Sequence, residues 1–220
     1  GQVKIADLDG NGFIDPGNFA VDDHGDLRII GNQSPRYRYG VNFSARWNGI
    51  GLSVFLQGVG ARDWYPGSDA GMFWGKYGRP FFALIPSIHN YTDDMYSAER
   101  NNWDTAYWPR MTTYQSNGTK NWTRLLEIPN TRYIQSAAYL RVKNIQLDYS
   151  FPKHICSAIR LQGLKIYVNA ENLFTFTPLH KYAPNFDPEG LSYDSDFASA
   201  ADGYTYPILK SVTVGVNITF

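Results

Sequence analysis

The stretch 207–220 reads P-I-L-K-S-V-T-V-G-V-N-I-T-F and constrains the fold more than any other part of the chain. Val212, Val214, Val216, Ile218 and Phe220 have one parity; Ser211, Thr213, Gly215, Asn217 and Thr219 have the other. Side chains alternate across a strand, so this stretch makes a strand with one apolar and one polar face.

The same period recurs upstream. From Tyr39 to Trp47, Val41, Phe43, Ala45 and Trp47 oppose Asn42, Ser44 and Arg46. Asn48-Gly49 follows, a strong hairpin signal, and Ile50, Leu52, Val54 and Leu56 carry the apolar face back. Phe55 interrupts the polar side of that returning strand. Between Ala137 and Phe151, Leu140 and Val142 share one parity while Ile145, Leu147, Tyr149 and Phe151 share the other. A bulge near Lys143-Asn144 is expected to bring all six onto one face. A fourth strand carries Leu164, Ile166, Val168 and Ala170 opposite Lys165, Tyr167, Asn169 and Glu171, with Phe174 and Phe176 extending its apolar face.

Charged residues make up 18% of the chain and cancel, 20 basic against 20 acidic, which argues against a nucleic-acid partner. The single cysteine, Cys156, allows no internal disulfide and reads as a buried thiol. No apolar run approaches the roughly 18 residues of a spanning helix, but barrel strands carry only alternating apolarity and escape that test. Gly1 is not an initiator methionine, and the chain reads as a segment of something longer.

Residues 7–15 read D-L-D-G-N-G-F-I-D. Asp7, Asp9 and Asn11 stand at alternating positions whose oxygens converge, Gly12 permits the tight turn, and Phe13 offers its carbonyl. Asp15 takes the place often bridged through water. The spacing is that of a structural calcium loop. Asn18 stands where an EF-hand has its bidentate glutamate, and Pro16-Gly17 interrupts any flanking helix, so Asp22 or Asp23 are the candidates to close the shell. A polar turn without an ion is the simpler alternative.

From Ala61 to about Thr131 the alternation gives way to Pro, Gly, Asn and Asp mixed with aromatics, among them Trp64, Trp74, Trp103 and Trp108. These four tryptophans are the candidates for substrate or partner contact, against the plainer role of packing the loop on itself. A second long connection covers 177–206. Short connections, at 48–49 and 152–163, alternate with these long ones. Outer-membrane barrels have this rhythm of short periplasmic turns and long outer loops. On that reading Trp47, Tyr149, Phe151 and Phe220 sit at the periplasmic interface and Phe174 and Phe176 at the outer one. The lumen-facing polar residues by parity are Asn42, Ser44, Arg46, Gln57, Gln146, Asp148, Asn169 and Glu171. Five strands cannot close a small bacterial barrel, so they are expected to complete a larger one.

No catalytic constellation emerges. Asp187 and Glu189 flank a proline, not a cleft, and His24, His89, His154 and His180 lack metal-ligand spacing. There is no G-x-S-x-G and no P-loop, and the chain is read as a non-enzyme.

The end of the chain resembles the closing strand of outer-membrane barrels, with Thr213, Gly215, Ile218 and Phe220 as its assembly signal. More broadly, the sequence is similar to the C-terminal part of the SusC/RagA family of TonB-dependent outer-membrane transporters. The resemblance is carried by D-L-D-G-N-G-F-I-D at 7–15, I-I-G-N-Q-S-P at 29–35, Y-G-V-N-F at 39–43 and G-L-S-V-F-L-Q-G-V at 51–59. It continues through Y-L-R-V-K-N-I-Q-L-D-Y-S-F-P at 139–152, I-Y-V-N-A-E-N-L-F-T at 166–175, F-D-P-E-G at 186–190 and the terminal strand. It implies an all-β fold, the C-terminal strands of a barrel of about 22 strands. Residues 1–38 would be an extracellular segment with the calcium-type motif and 39–220 a partial barrel lacking its plug. It also implies the outer membrane of a Gram-negative bacterium as the location. The partners implied are membrane lipid, a SusD-type surface lipoprotein, the TonB complex through a missing N-terminal part, and a glycan or peptide substrate. The competing expectation is a secreted, calcium-stabilised β-sandwich that binds carbohydrate.

Overall fold

The computed structural model describes residues 4–65, 95–108, 129–184, 186–191 and 208–220. The alternating segments become five antiparallel strands of one sheet: β1 (Arg36–Trp47), β2 (Ile50–Ala61), β5 (Tyr139–Ser150), β6 (Gly163–Phe176) and β7 (Ser211–Thr219), in that spatial order. Two short strands, β3 (Asp63–Trp64) and β4 (Gln135–Ser136), pair separately. The chain divides into two compact units, one of residues 1–34, 63–136 and 179–206, the other of 35–62, 137–178 and 207–220. This differs from the expected division at 38/39: strand β1 starts at Arg36, and the two long connections group with the N-terminal segment.

In the strand unit, cross-strand register builds continuous rows. Ala45, Leu52, Leu147, Val168 and Val214 form one row, and Phe43, Val54, Ile145, Ala170 and Val212 the next. The expected bulge is present: Phe55 pairs with Asn144 but Leu56 with Val142, so Lys143 is looped out and Leu140, Val142, Ile145, Leu147 and Tyr149 reach one face. Asn48 and Gly49 both have positive φ, 47° and 86°, the conformation a two-residue hairpin turn requires.

That apolar face is open. Val41, Phe43, Leu147, Val168, Phe174 and Phe176 are all exposed, and Val214 has 72% of its surface free. The β-sandwich alternative required a second sheet over these residues, and among the described residues none covers them.

Several strand glycines lie beneath a neighbour's ring. A Cβ at Gly215 would fall 2.3 Å from the Tyr167 ring, and one at Gly58 would fall 2.5 Å from the Tyr39 ring and 2.4 Å from the Tyr139 carbonyl oxygen. Phe55, the residue that breaks the polar alternation, covers Gly40, where a Cβ would fall 3.3 Å from its ring.

The shorter connection between β5 and β6, for which the sequence predicts no element, contains a helix, α1 (Lys153–Ala158). It ends in a Schellman motif: Leu161 N–H donates to Cys156 O at 2.9 Å and Arg160 N–H to Ser157 O at 3.0 Å. Arg160 holds φ at 60°, where glycine is the usual occupant and another residue costs about 1–2 kcal/mol.

The other unit has an aromatic core. Trp108 stacks on Tyr133 at 6.0 Å, Tyr107 on Tyr182 at 4.0 Å, and Trp64 packs against Phe186 at 5.4 Å. Leu179, from the 3-10 turn Pro178–Lys181, is fully buried. Arg132 lies over Tyr107 and Tyr133, at 5.7 and 5.9 Å, and donates to the Ala106 and Tyr107 carbonyls. Gln135 donates to the Tyr107 hydroxyl at 3.0 Å and the Tyr133 carbonyl at 2.8 Å. Burial raises the Tyr107 and Tyr133 hydroxyls, Tyr133 to about 12. A raised folded-state value leaves stability intact below the ordinary tyrosine pKa near 10, then erodes it as pH climbs toward about 12. Tyrosinate absorbance in an alkaline titration should therefore show a late component, and Tyr133→Phe should remove part of it. Titration of every tyrosine near pH 10 would contradict this packing.

Candidate functional site: two sheet faces and an acidic loop

The polar face of the sheet is organised around Asp148. Arg46, Gly51 and Asp148 stand in one register row across β1, β2 and β5. Because Gly51 has no side chain, Arg46 reaches across β2 and donates from Nη2 to Asp148 Oδ1 at 2.8 Å and Oδ2 at 3.1 Å. A Cβ at Gly51 would sit 2.2 Å from Asp148 Oδ2 and 2.9 Å from Arg46 Nη2. From β6, Lys165 Nζ closes on Asp148 Oδ1 at 2.9 Å, and Arg46 Nη1 also donates to Ser150 Oγ at 3.1 Å. One nearly buried carboxylate thus joins two cations on β1 and β6, the strands that flank the β2–β5 pair.

The remaining residues assigned to this face by parity fall into place beside it. Ser44, Ser53, Gln146, Asn169 and Thr213 make one polar row; Asn42, Asn144, Glu171 and Ser211 lie in the next, and the Ser211 hydroxyl donates to Glu171 Oε2 at 3.2 Å. Gln57 pairs with Arg141, whose Nε donates to Thr175 Oγ1 at 2.9 Å. Arg141 and Lys165 were missing from the sequence-derived set. The bulge that moves Val142 to the apolar face also moves Arg141 to the polar one, so parity counted through Lys143 would have found it.

The acidic loop is held by its own amides. The Asp7 carboxylate accepts from Gly10 N–H at 2.6 Å and Gly12 N–H at 2.9 Å, both glycines having φ near 80°. The Gly12 amide leads in holding the Asp7 carboxyl below its ordinary range; desolvation opposes it, and the Gly10 and Asn11 amides and the Asp9 side chain add to it. Asp9 accepts from the Asn11 amide and side chain at 3.0 and 2.9 Å, and Asn11 Oδ1 from Phe13 N–H at 2.7 Å. Asn11 Nδ2 also reaches Asp15 Oδ2 at 3.5 Å. Phe13 itself is exposed.

The carboxylate that joins Asp7 and Asp9 is Asp26: one oxygen from each of the three lies within 4.8 Å of the others. Asp26 fastens both ends of the loop, accepting from Leu8 N–H and, at 2.9 Å, from Asp15 N–H. Neither Asp22 nor Asp23 takes that place; Asp23 pairs with the Asn18 side chain and accepts the Asn18 amide at 3.1 Å. Spacing gave no access to Asp26, which lies outside the nine-residue motif and is brought back by the turn at Gly25.

The four tryptophans separate. Trp64 and Trp108, 2% and 1% exposed, belong to the aromatic core and present no face to a ligand; they carry out the packing role weighed against contact. Trp103 is 72% exposed. Trp74 lies outside the described residues. At the end of the chain Thr213 pairs with Asn169, Gly215 with Tyr167 and Ile218 with Leu164, while Phe220 follows the last paired residue and is exposed.

No family model matches the chain. TonB-dependent receptor P3 of Formosa agariphila is 26% identical over 226 residues, all of this chain and 19% of its own length. TonB-dependent receptor P26 of the same organism is 22% identical over 224 residues, again all of this chain and 20% of its own. Among solved structures, the RagAB peptide importer in its closed-closed state matches 96% of this chain and 20% of its own at a TM-score of 0.56 and 18% identity. The RagAB peptide transporter matches 88% of this chain and 18% of its own at a TM-score of 0.53 and 18% identity. The chain is similar to TonB-dependent receptors over its whole length and shares its fold with part of the RagAB importer. The five-stranded sheet, almost wholly β as expected, fits a fragment of a barrel such as that of the RagAB transporter. The relatives and structural neighbours are receptors and importers by name, not enzymes. The chain spans about a fifth of the length of the curated relatives it matches.

Proposed function

We propose that this chain is closing wall in a TonB-dependent importer of the Gram-negative outer membrane, which takes up oligosaccharides or peptides with a SusD-type surface lipoprotein as its lid. The observation that carries the proposal is the open apolar face running unbroken across five strands, opposite a face of polar and charged residues. A twelve-residue strand reaches about 40 Å, and a tilt of about 45° brings its rise to roughly the 30 Å of a hydrocarbon core. The likeness to TonB-dependent receptors supports the energy source, and the likeness to an importer supports the direction of transport. Thr213, Gly215, Ile218 and Phe220 serve as the assembly signal in this reading, and Trp103 offers the loop contact.

The test is fractionation of the full-length native protein with heat-modifiable gel migration. Retention in the outer-membrane pellet, extraction only by detergent and a migration change on boiling are expected. Solubility without detergent would overturn the reading. Capture of a surface lipoprotein after crosslinking is the expected second result.

Calcium is proposed as the structural ion of the acidic loop, held by Asp7, Asp9, Asn11, Asp15 and the Phe13 carbonyl, with Asp26 completing the set. All-oxygen donors and convergent carboxylates suit a hard cation. Replacing Asp7 and Asp9 together with asparagine should expose the segment before Tyr39 to protease while the barrel stays folded. An unchanged cleavage pattern with and without chelator would sink the assignment.

A further inference from the structure

We infer that the connection 151–162 is an interfacial anchor that seats on the anionic headgroups of the lipid leaflet beside the short turns; this rests on the membrane reading of the sheet. The first support is continuity. Phe151 has the parity of Tyr149 on the apolar face, and the two rings meet edge to face at 5.0 Å. Helix α1 grows directly from this pair: Pro152 O accepts the amides of Ile155 and Cys156, and Cys156 Sγ donates to Phe151 O at 3.7 Å.

The second support is what α1 leaves uncovered. Cys156 is its buried side, whereas Ile155 and Ile159, four residues apart and so on one flank, are 40% and 54% exposed. Two branched aliphatic side chains on a single short turn are poorly placed in water and well placed at the boundary of headgroups and acyl chains.

The third support is charge. From 151 to 162 the chain carries Lys153, His154 and Arg160 and no carboxylate, all three exposed. Arg160 occupies the left-handed position of the Schellman motif, where glycine would close the helix with less strain. A cation retained there, flanking two exposed isoleucines, matches an anionic lipid surface. Each basic side chain close to such a leaflet favours docking by about fivefold.

The experiment places the full-length protein in nanodiscs, whose two faces both meet solvent, with phosphatidylglycerol in one preparation and phosphatidylcholine alone in the other. Hydroxyl-radical footprinting of the unmodified chain reads oxidation at Ile155 and Ile159, with Phe43 as the reference for the apolar sheet face. Protection of both isoleucines with phosphatidylglycerol, reduced by several-fold in phosphatidylcholine or in Lys153→Gln/Arg160→Gln, supports the anchor. Solvent-like oxidation of Ile155 and Ile159 while Phe43 stays protected overturns the anchor and leaves the membrane reading standing. Oxidation at all three sites overturns both. Protection that ignores lipid charge and both substitutions overturns the anionic-headgroup assignment.

Discussion

Ile145→Arg is expected to lower the stability of the protein in a bilayer by about 2–4 kcal/mol, the cost of a cation facing lipid near mid-membrane. Ile145 lies in the row of Phe43, Val54, Ala170 and Val212, between Tyr149 at one edge of the apolar face and the Val142–Phe174 pair at the other. The neighbouring substitution Gln146→Arg places the same charge on the other face, beside Asn169 and Ser53, and should leave assembly nearly unchanged. Urea unfolding in lipid vesicles, followed by heat-modifiable migration, measures both. Equal losses from the two variants would mean that the faces do not meet different solvents, and the barrel reading would fall with them.

Asp148→Ala is the second large effect, at about 1–2 kcal/mol. Removing one partner of a buried ion pair typically costs about 3–5 kcal/mol because the remaining charge loses its neutralisation. Here two cations, Arg46 and Lys165, would face each other across the gap. Arg46 and Lys165 keep 56% and 31% of their side-chain surface in solvent, so the charges left behind stay hydrated and the cost falls below that range. Lys165→Met added to Asp148→Ala should recover part of the loss, since one cation then has no repulsive neighbour. A double variant as unstable as the sum of its parts would show that the three residues do not act as one group.

The strands were legible because their signal is local. Period-2 alternation, the Asn48-Gly49 turn and the parity change at Lys143 depend on residues within one or two neighbours, and all three appear in the structure. The loop unit was not legible for the opposite reason. Whether Trp64, Trp103 or Trp108 is buried depends on partners far along the chain: Trp64 meets Phe186, and Trp108 meets Tyr133 and Tyr182. Nothing in the composition around each tryptophan distinguishes them. Asp26 escaped likewise, since hydrogen bonds to the amides of Leu8 and Asp15 bring it to Asp7 and Asp9. Helix α1 was missed because its apolar pattern, Ile155, Cys156 and Ile159, is too short to show a period.

Alternation leaves one ambiguity that the covered glycines remove. Sliding β7 by two residues along β6 keeps every valine on the apolar face, so hydrophobicity alone cannot tell the native alignment from its neighbours. The slipped alignments would bring Thr213 or Asn217 beneath Tyr167 in place of Gly215, where even a Cβ falls 2.3 Å from the ring. Gly58 under Tyr39 sets the same condition between β1 and β2. These positions work as a key and its notch: they say nothing about which face meets lipid, and they select one alignment among those the faces would accept.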